Sequence, residues 1–130
     1  MRPQLRFNHL AIFVRDLNNS ARFYSEVIGL DEIQNTTGKS TIRWFSLGNG
    51  VELHVLSGDN SGVVLKKEVH FAVAASDLDA VMKSLDAKGV EYSDWAGTVH
   101  RAGVRADGVR QIYIQDPDGY WVELNEAPME

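Results

Sequence analysis

Hydrophobic and polar positions change period in the same order twice along the chain. Phe7–Val14 (FNHLAIFV) is dense in aromatic and branched residues and predicts a strand. From Asp16 to Ile28 the period lengthens, and Leu17, Ala21, Tyr24 and Ile28 fall on one helical face, with Gly29 as the stop. Short strands are expected near Asp31–Thr36, Thr41–Leu47 and Val51–Leu56, the last two joined by a Gly48-Asn49-Gly50 turn. After the polar stretch Ser57–Asn60 and Gly62, the pattern restarts with a strand over Val69–Ala74. Ser76 with Asp79 reads as a capping box for a helix whose apolar stripe is Leu78, Val81, Met82 and Leu85, and Gly89 ends it. Strands are expected near Glu91–Ser93, Val109–Gln115 and Tyr120–Asn125, with Asp116-Pro117-Asp118-Gly119 turning into the last.

The two passes match at fixed marks. His9 precedes Asp16-Leu17 and Gly29, and His70 precedes Asp77-Leu78 and Gly89; the His-to-Asp spacing is seven in both and the His-to-Gly spacing twenty against nineteen. Each pass closes on Val-Glu-Leu, at Val51-Glu52-Leu53 and Val122-Glu123-Leu124. The reading is an α+β chain of two β-α-β-β-β modules, 5–57 and 68–126, with a linker at 58–67. A single sheet face cannot be buried by one module alone, so the two are expected to form one domain over 1–130.

Composition narrows the chemistry. The 130 residues include 13 basic and 18 acidic side chains, a net charge of −5, which disfavours a general grip on nucleic acid. There is no cysteine, so disulfides, zinc fingers, iron–sulfur clusters and thiol catalysis are excluded, and any metal must be held by His, Asp or Glu. No apolar run approaches the roughly 18 residues that span a membrane, and the N-terminal stretch lacks a signal-peptide pattern. The expectation is a cytoplasmic protein without membrane contact. His100, Arg101, Arg105 and Arg110 make one basic segment, either a local anion site or scattered solvated charge.

The repeat also aligns metal-competent residues. His9 and His70 stand at matching places on the opening strands, and Glu52 and Glu123 on the closing strands. Two imidazoles and two carboxylates suit Ni, Zn, Mn, Co or Fe as a divalent ion. His54 lies two residues past Glu52 and so shares its strand face. Either is open as the additional ligand; Glu52 is favoured because it matches Glu123 in the repeat, with His54 then a substrate-side neighbour or proton carrier.

From Phe7 to Glu126 the chain resembles the vicinal oxygen chelate superfamily, which includes glyoxalase I, extradiol dioxygenases and the fosfomycin and bleomycin resistance proteins. The resemblance is carried by His9 with Asp16-Leu17, Phe23-Tyr24 and Gly29-Leu30, and by Tyr113, Asp116-Pro117-Asp118-Gly119 and Glu123-Leu124. It implies a cup-shaped mixed sheet around one divalent ion bound by His9, His70 and Glu123, with Glu52 at the fourth position, and a homodimer. It also implies a small-molecule substrate.

The full set fits a glyoxalase-like lyase or isomerase working through an enediolate-type intermediate, with Glu123 or Glu52 as the base. Trp44, Tyr113 and Trp121 are candidate substrate-pocket walls, and Arg101, Arg105 or Arg110 candidate holders of a substrate carboxylate. An extradiol-type dioxygenase needs only His9, His70 and Glu123 and leaves Glu52 unused. A bleomycin resistance-like binding protein is the non-enzyme alternative. Fosfomycin chemistry is disfavoured by Ala11, where a hydroxyl is expected, and by the chain stopping at Glu130 before an expected arginine.

Overall fold

The computed structural model describes Met1–Met129. Its elements run β1 (His9–Val14), α1 (Leu17–Arg22), a wider π-helical turn (Phe23–Ile28), β2 (Glu32–Ile33), β3 (Ile42–Gly48) and β4 (Val51–Ser57). They continue with β5 (His70–Ala74), α2 (Leu78–Ala87), β6 (Gly103–Val104), β7 (Arg110–Gln115) and β8 (Trp121–Asn125). The chain divides into two compact units between Val63 and Val64.

Both units have the same topology. One holds a four-stranded sheet in the order β1-β4-β3-β2, the other a sheet in the order β5-β8-β7-β6. The first strand of each runs parallel to the last, β1 with β4 and β5 with β8, and the remaining neighbours are antiparallel. This is the β-α-β-β-β unit read from the sequence, written twice.

Alternation along the strands separates a helix-side core from a polar face. In the first unit Ile12, Val14, Phe45, Leu53 and Val55 are buried on the helix side with Ala21 and Tyr24. The rings of Tyr24 and Phe45 lie 6.3 Å apart. In the second, Ile112, Ile114, Val122 and Leu124 are buried with Leu78 and Leu85 of α2. Each such aliphatic side chain contributes about 1.5–3 kcal/mol by leaving water. The opposite faces carry His9, Glu52 and His54 in one unit and His70 and Glu123 in the other.

Several boundaries differ from expectation. The helix after Asp16 widens into a π-turn at Phe23, which lets both Phe23 and Tyr24 be buried before Gly29 closes it at φ +89°. Asp77, not Ser76, caps α2: its carboxylate accepts the Ala80 N–H at 3.0 Å, as that of Asp16 accepts the Asn19 N–H ahead of α1. Glu91–Ser93 contributes only isolated bridges from Ser93 to Val99 and Tyr113, while Gly103–Val104 forms the edge strand instead. At the β3–β4 turn Gly48, Asn49 and Gly50 all have positive φ, which explains two glycines and an asparagine there.

Candidate functional site

In the first unit, β1 places His9 opposite Glu52, and Ala11 opposite His54. Trp44 of β3 stands opposite His54 on its other side. These residues therefore share the face away from the helix. The His54 imidazole lies between two rings, 4.0 Å from Trp44 at an interplanar angle of 2° and 4.2 Å from His9 at 14°. Its Nε2 is 3.0 Å from Glu52 Oε1. When Nε2 carries the proton it donates to that carboxylate, and Nδ1 is left with its lone pair. Glu52 is the more open partner, its side chain 34% exposed against 14% for His54.

In the second unit, Glu123 stands opposite Ala72 on β5 and opposite Tyr113 on β7, with His70 two residues along on the same face of β5. The Glu123 carboxylate is buried and held at both oxygens. Tyr113 donates its hydroxyl to Oε1 at 2.9 Å, and Asn125 donates its amide to Oε2 at 2.8 Å. Burial, and then the bond to Glu123, push the Tyr113 hydroxyl up to about 12, so it stays a proton donor. His70 Nδ1 is 2.8 Å from the Lys67 carbonyl, which only accepts, so the proton sits on Nδ1. His70 Nε2 lies 3.2 Å from Glu123 Oε1. The same 3.2 Å contact is an ion pair when both ring nitrogens carry protons, and leaves Nε2 as a free donor atom for a cation when only Nδ1 does.

Comparing the two registers changes the internal alignment. His9 faces Glu52, but His70 faces Trp121; Glu123 faces Ala72 as His54 faces Ala11. Tyr113 opposite Glu123 likewise answers to Trp44 opposite His54. The structural counterpart of Glu123 is therefore His54, and that of Glu52 is Trp121. The matched Val-Glu-Leu triplets that favoured Glu52 are offset by two residues in the sheets.

The arginines do not gather at these faces. Arg110 lies on the helix side of β7, where it donates to Glu126 from Nε and Nη2 at 2.9 Å and to Asp79 from Nη1 at 3.0 Å. This double clamp holds Glu126 below the usual carboxylate range and raises Arg110. It is not available to a substrate on the Glu123 face, which corrects that expectation. Arg101 is exposed, with Nε 3.8 Å from Asp94 Oδ2. Arg105 pairs with Asp107, and His100 Nδ1 is 3.2 Å from Asp86. The basic segment is thus matched acid by acid rather than collected into an anion site.

Trp121 and Tyr113, expected as pocket walls, line a cavity of about 200 Å³ together with Tyr92, Ser93 and Gln115. Asn125 was missed by sequence reasoning, although two-residue alternation from Glu123 puts it on the same face. Among the described residues there is no group of three or more His, Asp or Glu that could hold a metal. The donor types within each unit nevertheless suit a divalent ion: an imidazole beside a carboxylate in both, with the two oxygens of Glu123 already hydrogen-bonded by Tyr113 and Asn125.

The sequence profile of the Glyoxalase/Bleomycin resistance protein/Dioxygenase superfamily matches residues 6–124. The chain belongs to this superfamily. It is 30% identical over 125 residues to the uncharacterized protein YwbC of Bacillus subtilis, covering 92% of this chain and 95% of that one. It is 24% identical to "Glyoxylase I 4" of Arabidopsis thaliana, covering 90% and 68%. Among solved structures it is similar to a Bacillus anthracis protein assigned to the glyoxalase family, with a TM-score of 0.78 and 25% identity over 98% of this chain and all of that one. Superfamily members act on small molecules, and many use a divalent metal. Among the described residues no helix is long and apolar enough to cross a membrane.

Proposed function

We propose that the chain is a divalent-metal-dependent lyase or isomerase of glyoxalase type. The residues that would hold the ion are His9, His70 and Glu123, with His54 as the additional donor. The observation that carries this reading is His70 Nε2 placed 3.2 Å from a buried Glu123 carboxylate whose two oxygens already accept from Tyr113 and Asn125. His54 is preferred to Glu52 because it shares the strand position of Glu123. An ion held there would supply Lewis-acid polarisation of the oxygens of a small hydroxy-carbonyl or hemithioacetal substrate.

The chain's residues then divide the remaining work. Glu123, fixed by Tyr113 and Asn125, is a donor that does not move. Glu52 is the base: half-open and held at one oxygen by His54, its carboxylate takes the proton from the substrate carbon and returns it to the neighbouring carbon. Between the two transfers the substrate is an enediolate. Trp44 and Trp121 present flat apolar surface on the same sheet faces and are the walls that orient the carbon skeleton.

The test is hemithioacetal isomerisation with Ni²⁺, Zn²⁺, Mn²⁺, Co²⁺ or Fe²⁺ supplied in turn. Glu52→Gln should lower kcat by about 10²–10⁴-fold while metal is retained. His54→Ala should weaken metal binding itself. Unchanged turnover in Glu52→Gln would reject Glu52 as the base, and catechol cleavage in the Fe²⁺ form without isomerase activity would replace the reading by a ring-cleaving one.

A further inference from the structure

Lys67, on the approach to β5, has an unusual seat for a lysine. Its ammonium lies 5.2 Å from the Trp95 ring centroid, 5.0 Å from that of Tyr113 and 4.8 Å from that of Trp121. Three rings thus surround one cation, each attracting it through its negative face. The same nitrogen donates to the Asp94 carbonyl at 3.0 Å and to the Trp95 carbonyl at 2.8 Å. A flexible side chain is thereby fixed at five points, and the chain segment that carries it is fixed with it.

The backbone of the same residue meets the candidate site. The Lys67 carbonyl takes the proton of His70 Nδ1 at 2.8 Å. A backbone carbonyl has no donor, so this contact admits only the Nδ1–H tautomer of the neutral ring and reserves Nε2 for Glu123. The clamp is joined to Glu123 a second way, since Tyr113 is both a wall of the lysine's seat and the hydroxyl donor to Glu123 Oε1. Trp95 also lies against His70, with ring centroids 6.1 Å apart.

We propose that Lys67 is a positioning residue for His70: its side chain, clamped by Trp95, Tyr113 and Trp121, holds its own carbonyl where it fixes the His70 tautomer and aims Nε2 at Glu123. The proposal deepens the metal-site reading, on which its functional meaning rests, but its structural content concerns the metal-free chain. Removing the ammonium frees the Lys67 peptide to reorient, and His70 then samples the Nε2–H form, in which Nε2 donates to Glu123 and offers no lone pair to an ion.

The experiment is long-range ¹H–¹⁵N NMR of the imidazoles in chelator-treated protein above the histidine titration range, with His70→Gln to assign the signal. Wild type should show His70 with the proton on Nδ1. Lys67→Met, which keeps the apolar stem, should show a mixture containing Nε2–H, and Lys67→Arg should restore the wild-type pattern. Trp95→Leu, at an exposed position, opens the seat from outside and should shift the tautomer in the same direction if Lys67→Met does not fold. A parallel Ni²⁺ titration should show affinity reduced about 10-fold or more in Lys67→Met. A folded Lys67→Met or Trp95→Leu with His70 still on Nδ1–H would overturn the proposal. So would Nε2–H in wild type. If the tautomers behave as stated but no variant or wild type takes up Ni²⁺, the positioning role stands and the metal-site reading falls.

Discussion

At the scale of single residues, Glu123 is the most constrained polar group in the candidate site. A buried carboxylate is costly unless its oxygens are satisfied, and here Tyr113 and Asn125 each satisfy one. Tyr113→Phe keeps the ring but removes the donor to Oε1. It should destabilise the metal-free protein by about 1–3 kcal/mol, read by urea unfolding. An unchanged unfolding midpoint would mean that the hydroxyl does not support the carboxylate. The sequence singled out His9, His70 and Glu123 by their places in the repeat, and the matching of the two opening histidines holds in the sheets, where both start the first strand of their unit. Lys67 was not. Its ring partners lie 28 to 54 positions further along the chain, from Trp95 to Trp121, and a lysine in a linker carries no local sign of being wrapped by rings. Arg110 misled for a related reason. Its type suits a carboxylate, but only the strand register shows that it faces α2 and Glu126 rather than Glu123.

At the scale of elements, periodicity recovered both helices and most of the strands because apolar spacing is a property of each segment alone. Register and capping are not. The two Val-Glu-Leu triplets look equivalent as text, yet β1 against β4 and β5 against β8 set them two residues apart, and that offset moves His54 into the place of Glu123. The cap of α2 was obscured similarly. Ser76 and Asp79 have the right spacing for a box, whereas Asp77 has the extended backbone and makes the bond. Asp77→Ala should cost about 0.5–2 kcal/mol of stability, and Ser76→Ala little, when both are followed by thermal or urea unfolding. The reverse order would restore the capping box. The edge strand Gly103–Val104 gave no periodic signal, being only two residues long.

At the scale of the whole molecule, two units of identical strand order explain why the chain is written twice, and superfamily membership accounts for the order itself. Each unit keeps an apolar face for its helix and spends the other on His and Glu side chains flanked by aromatic rings. Nothing in core packing requires His9, His54, His70 and Glu123 on those faces. The proposed binding of a divalent ion would supply a common reason. The most direct measurement is metal per chain, by mass spectrometry on untagged protein after exposure to Ni²⁺, Zn²⁺, Mn²⁺, Co²⁺ and Fe²⁺, with His9→Ala, His54→Ala and Glu123→Ala alongside. The account predicts about one ion per folded wild-type chain, and much less in each variant. Folded wild-type protein that takes up none of these ions would contradict it.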